Sequence, residues 1–207
     1  MTDKDIGTMR RDSGLTLVEL VVALATMAIV ANIAAPRFTD WLQNFRLRSA
    51  AMDLYSSMQW AKLGAIRANA DWAIIFDNSV IPGRYFVCSD NGGDGWDMPS
   101  QMGGTDTLRK QGRLVGYGTG IHYGHGHATT NATAGGGTFP PLDDIGYPSN
   151  VLIFDSRGLC RGGFVYLENN RNDVLQSRHT YAVGTRANGN IIIRKWFPPS
   201  ANWGSPF

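Results

Sequence analysis

Polar residues 1–14 give way to 21 residues, Leu15 to Ala35, in which Glu19 is the one charged side chain. About 20 apolar residues in a helix cross a bilayer core, so this run predicts a membrane-spanning helix. A charge inside such a run costs roughly 2.5–3.5 kcal/mol on insertion scales, so Glu19 needs a partner and a task. The pattern does not stop at Pro36. Phe38, Trp41, Leu42, Phe45, Met52, Tyr55, Met58 and Ile66 recur at helical spacing, and Asp40, Gln43, Arg46, Asp53 and Lys62 fall opposite. That predicts an amphipathic continuation whose aromatic face packs on a domain. The expected helix runs from about Leu15 to Asn69, bent at Pro36, and is about 80 Å long at 1.5 Å per residue.

From Asp71 the period changes. Short β-like runs cover Trp72–Phe76, Arg84–Cys88, Leu108–Tyr117 (broken by Gly112), Asn150–Phe154 and Gly163–Leu167. Two further β-rich runs flank Asn188-Gly189, a strong hairpin signal. The sum is an α+β chain: a long N-terminal helix packed on an antiparallel sheet, with the Gly-rich residues between 89 and 149 as mobile loops.

Composition adjusts this picture little. The 207 residues are 43% apolar, enough for one modest domain beyond the anchor. The formal net charge is +2, and removing residues 1–14 leaves it unchanged, because Lys4, Arg10 and Arg11 cancel Asp3, Asp5 and Asp12. Those basic residues favour the cytoplasmic side for the start of the span, although Arg37 lies just beyond its far end. A secretory signal peptide has a similar leader and apolar core, but it has no use for a carboxylate at Glu19. The two cysteines, Cys88 and Cys160, are a candidate disulfide in an oxidising compartment and unrelated thiols elsewhere.

Gly14-Leu15-Thr16-Leu17-Val18-Glu19 resembles the prepilin processing and methylation motif of type IV pilins and type II secretion pseudopilins, with Leu15 where phenylalanine is usual. Pro36 matches the helix-bending proline of those families. Phe154, Gly158, Gly162 and the stretch Asn188 to Arg194 further resemble the C-terminal part of the GspH/FimT pseudopilin group. The resemblance implies a pilin-like α+β fold with four segments: a leader (1–14), a transmembrane helix (15–35), an amphipathic helix (36–70) and a periplasmic β-rich domain (71–207). It implies that a prepilin peptidase cuts after Gly14 and N-methylates Leu15. It also implies that Glu19 pairs with the N-terminal amine of a neighbouring subunit during filament assembly, which Pro36 serves by shaping the helix. The chain would sit in the bacterial inner membrane by a single pass. Its partners would be other pseudopilins or pilins and, in secretion, exported proteins. The function implied is a minor pseudopilin of a type II secretion filament. The alternative is a FimT-like minor type IV pilin that binds DNA for uptake.

Charge and spacing supply the remaining candidates. Residues 70–155 carry four basic and nine acidic side chains, and residues 157–196 carry seven basic and two acidic ones. Arg178, Arg186, Arg194 and Lys195, with Trp196 and Trp203 near them, are candidate DNA contacts. Charge pairing between subunits is the competing use of the same cations. Asp90, Asp94 and Asp97 lie in a Gly-rich turn that is a weak Ca²⁺ candidate and lacks EF-hand spacing. His122, His125 and His127 are close enough for a transition metal, but their Gly-Thr-Ala surroundings supply no supporting shell and read as an exposed flexible loop. No nucleophile elbow, phosphate-binding loop or Cys-x-x-Cys is present, so neither an enzyme nor a cofactor is expected.

Overall fold

The computed structural model describes residues 16–89, 95–96, 106–118, 120–140, 143–169 and 179–206. It divides into two compact units, Met1–Trp41 and Leu42–Phe207. One helix, α1 (Leu17–Ala68), supplies the described part of the first unit and opens the second.

Among the described residues nine strands follow α1: β1 (Trp72–Asp77), β2 (Arg84–Cys88), β3 (Leu108–Arg113), β4 (Ile121–Tyr123), β5 (Val151–Phe154), β6 (Gly163–Asn169), β7 (Thr180–Thr185), β8 (Ile191–Phe197) and β9 (Asn202–Gly204). The single expected sheet is in fact two. The first has the order β3-β2-β1-β5 and the second β4-β6-β7-β8-β9. All of these pairings are antiparallel. The expected hairpin is β7–β8, closed by Arg186–Gly189 with Gly189 at φ 74°, in the left-handed region glycine tolerates. The expected third run splits at Arg113, where residues Leu114–Tyr117 turn into a short 3-10 helix.

The largest core cluster joins α1 to both sheets. Leu47, Ala50, Ala51, Leu54, Met58, Ala61 and Ala65 of α1 meet Ile74, Phe76, Tyr85, Val87 and Leu152 of the first sheet. The same cluster takes Val165, Leu167, Tyr181, Val183 and Ile191 from the second. The buried face of α1 therefore differs from the aromatic face that the spacing suggested. Of that expected set, Met58 is buried and Tyr55 packs at the core's edge, whereas Phe45 is 54% exposed and Ile66 43%. Phe38 and Trp41, in the first unit, are exposed as well. The reason is close approach: alanines at 50, 51, 61 and 65 let the helix backbone lie near the strands, where larger side chains would hold it away.

A second, smaller cluster lies on the outer face of the second sheet. Phe164, Tyr166 and Ala182 pack with Ala132, Phe139, Ile192 and Trp203. The Gly-rich segment around Ala132 is thus anchored rather than mobile. Tyr166 Oη accepts a bond from Ala132 N at 2.8 Å, and Trp203 Nε1 donates to Thr130 O at 2.7 Å.

Candidate functional site

In the first unit the informative geometry is at the start of α1. Thr16 is the cap: its Oγ1 accepts from Glu19 N at 3.2 Å, and its carbonyl accepts from Leu20 N at 3.2 Å. Glu19 answers, its Oε2 accepting from Thr16 N at 2.9 Å and from Thr16 Oγ1 at 3.0 Å. This is a reciprocal capping box, which gives otherwise unbonded helix N–H groups a partner. It also gives the carboxylate a local partner. The signal, Thr-x-x-Glu ahead of an apolar run, is present in the sequence but lies within the stretch that resembles a processing motif. Two other polar groups in the apolar run are likewise satisfied by their own helix: Thr26 Oγ1 donates to Val22 O and Ala23 O, and Asn32 Nδ2 to Ala28 O. Such bonds are what a helix needs where no water is at hand. The helix is long and apolar enough to cross a membrane. Pro36 lies within α1, where its missing N–H leaves Asn32 O without the usual helical donor. Gly14 and Leu15 lie outside the described residues.

In the second unit a polar network ties α1 to the first sheet. Asp53 accepts from Tyr85 Oη at 2.6 Å and from Lys110 Nζ at 3.0 Å. Ser57 Oγ lies 2.8 Å from Lys110 Nζ and 3.1 Å from Tyr85 Oη. Burial would raise the Asp53 pKa, but the donors Tyr85, Lys110 and Tyr117 outweigh it and hold the carboxyl below its ordinary value. A hydroxyl beside an amine invites comparison with a nucleophile and its base. Here Ser57 Oγ already donates to Asp53 O at 2.8 Å, and the ammonium donates to Ser57 and Asp53, so neither group is poised to take a proton. Sequence spacing gives no signal for this network, since its members come from α1, β2 and β3.

Two of the three candidate histidines, His122 and His125, find carboxylates. His122 Nε2 is 3.0 Å from Glu168 Oε1, and His125 Nδ1 is 2.5 Å from Asp144 Oδ1. His125 also stacks on Phe139, with ring centroids 3.9 Å apart. The segment read as a flexible loop is therefore built into the second sheet's surface. Among the described residues no three His, Cys, Asp or Glu side chains converge as a metal site. Asp90, Asp94 and Asp97 lie outside the described residues.

Arg194 and Lys195, two of the cations proposed for DNA contact, do not share one face. Arg186 is exposed at the β7–β8 turn. Arg194 lies on the outer face, its guanidinium 6.0 Å from the Phe164 ring centre. Its neighbour Lys195 takes the other face, as successive strand residues do, with Nζ 5.8 Å from the Tyr181 ring. Burial there, with Arg48 nearby, lowers the Lys195 pKa. Trp196 is buried and packs edge-on against Trp203 at 5.3 Å, which leaves no open face for a base between them. Arg178 lies outside the described residues.

The candidate disulfide is not formed: both thiols are free. Cys88 pairs with Ala73, the adjacent Trp72 pairs with Phe154, and Phe154 bridges to Cys160. Strands β1 and β5 therefore stand between the two cysteines. Three strand spacings amount to about 14 Å, against roughly 4.4–6.8 Å between the Cα atoms of a disulfide.

No family model and no curated protein sequence matches the chain. Among solved structures it is similar to the minor pseudopilin EpsH from the type 2 secretion system of Vibrio cholerae. The match has 14% identity and a TM-score of 0.43, and covers 72% of this chain and 95% of that one.

Proposed function

We propose that this chain is a minor pseudopilin of a type II secretion filament, a structural subunit rather than an enzyme. A prepilin peptidase cleaves it after Gly14 and methylates the new N-terminus at Leu15. The mature chain is anchored in the inner membrane by residues 15–35, with the β-rich domain in the periplasm. The observation that carries this reading is Glu19, a carboxylate in the first turn of an apolar helix and the last residue of the stretch that resembles the processing motif.

Before assembly, the capping box gives Glu19 donors from Thr16, so the helix can reside in the membrane without an unbonded carboxylate. In the filament, the ammonium of a neighbouring Leu15 offers a stronger, charge-assisted partner, and the carboxylate sets the register between subunits. The exposed Phe38, Trp41 and Phe45 give the helix an apolar side for contacts between subunits.

Mass spectrometry of the membrane fraction tests the processing step. The expected mature chain begins at N-methyl-Leu15, and any other start refutes it. Co-purification with the other filament subunits tests assembly. Glu19→Ala should abolish it while leaving cleavage intact, and unchanged assembly would overturn the role of Glu19.

A further inference from the structure

We propose that the edge of the second sheet is locked by the second ring proton of His122, donated to Glu168, so that β4 is held on β6 while that proton is present and released as rising pH removes it. Strand β4 is three residues long, and its register sets His122 directly opposite Glu168. The imidazole has an acceptor at each nitrogen. Nδ1 is 3.0 Å from Gly120 O, and Nε2 is 3.0 Å from Glu168 Oε1. A neutral ring carries one N–H, so with an ionised Glu168 one of these contacts would set lone pair against lone pair. A second ring proton, at Nε2, satisfies both.

The surroundings make that proton matter. Glu168 is 9% exposed, and its Oε2 has no hydrogen-bond partner among the described residues. Gly124 stands against it so closely that a Cβ there would run into Oε1. A buried carboxylate in that position depends on His122 for compensation. The charged groups facing His122 are Glu168 from β6 and, from the segment before β5, Asp143 and Asp144, which line the same cavity of about 190 Å³. The β1–β2 turn contributes uncharged Asn78 to that cavity, and β7 sets uncharged Thr180 opposite Glu168. His125 sits on the far side of Asp144. The Glu168 hydrogen bond raises the His122 pKa above 6.5, against the opposing effect of burial.

Strand β4 also joins the two sheets. Ile121 is in the main core, Tyr123 packs edge-on against Phe76 of β1, and Tyr123 Oη donates to Arg84 O at 2.8 Å. Losing the proton therefore loosens the seam between the sheets. Because the folded-state pKa is raised, the stabilisation is complete below about 6.5 and is lost as the pH climbs through the higher folded value.

The test uses the full-length chain in detergent micelles with ¹⁵N-labelled histidine. His122 is expected to show two N–H groups at pH 6 and to lose one at a midpoint above 6.5. Amide exchange of Gly120–Gly124, corrected for its intrinsic pH dependence, should rise across the same midpoint. Glu168→Gln should bring the His122 midpoint down toward 6.5 and remove the rise. His122→Gln, which can donate to Glu168 but does not titrate, should give a flat exchange profile. A neutral His122 at pH 6, or the same exchange rise in His122→Gln as in the native chain, would overturn the proposal.

Discussion

Removing one hydroxyl from the helix–sheet network should measure how firmly α1 is tied to the first sheet. The substitution is Tyr85→Phe. Tyr85 is 1% exposed, and its Oη donates to the Asp53 carboxylate at 2.6 Å. A hydrogen bond to a charged group contributes roughly 1.5–3 kcal/mol. Asp53 keeps Lys110, and its side chain is 32% exposed, so water can replace part of what is lost. That places the loss at about 2 kcal/mol. Phenylalanine fills the same space, and the ring still covers Gly112, so no cavity adds to the loss. For a unit of this size, that corresponds to a drop in Tm of roughly 4–8 °C. Urea unfolding of the full-length chain in micelles, followed by tryptophan emission, should show a lower midpoint with unchanged slope. In an Asp53→Asn background the same substitution should cost less, with a coupling of about 1–2 kcal/mol. The Asp53 pKa is lowered, so its stabilisation is present above the ordinary 3.8 and fades as the pH falls through the folded value. Tyr85→Phe should weaken that acid dependence. A loss under about 0.5 kcal/mol, or an equal loss with and without Asp53, would refute the reasoning.

Two further outcomes follow from the packing. Gly184→Ala would drive a Cβ into Gly163 O across the β6–β7 pair, so it should prevent folding or cost several kcal/mol, whereas Gly116→Ala, with open space around it, should stay within about 0.5 kcal/mol in the same melts. Thiol titration should find two free thiols per unfolded chain and no difference in gel mobility on reduction. In the native chain Cys88 should resist alkylation, because it is buried and burial, with Asp106 nearby, pushes its thiol up to about 11.

The elements with a strong local period were readable in advance. The long helix, β1, β2, β5, β6 and the β7–β8 hairpin all appear close to their expected bounds. What the pattern obscured was which face of the helix is inside. Aromatics dominate any count of hydrophobicity, but alanine is what permits close packing, so the eye goes to Phe45 and Ile66 while Ala51 and Ala61 form the contact. Strands β4 and β9 were missed because three residues are too few to establish a period. The histidines read as a flexible loop because their partners, Glu168 and Asp144, are distant in sequence. At the start of α1 the opposite holds: the capping box is local, and Thr16 and Glu19, three residues apart, suffice to signal it.

The clamp of Trp203 on Thr130 has a consequence for the order of assembly. Those two residues are 73 positions apart, and the segment beneath the clamp covers Phe164 and Tyr166. A chain made from its N-terminal end forms Phe164 and Tyr166 before Trp203 arrives to fasten their cover. During that interval the cover is held by the packing of Ala132 and Phe139 and by the Ala132–Tyr166 bond. Truncation just before Asn202 would leave it in that looser state.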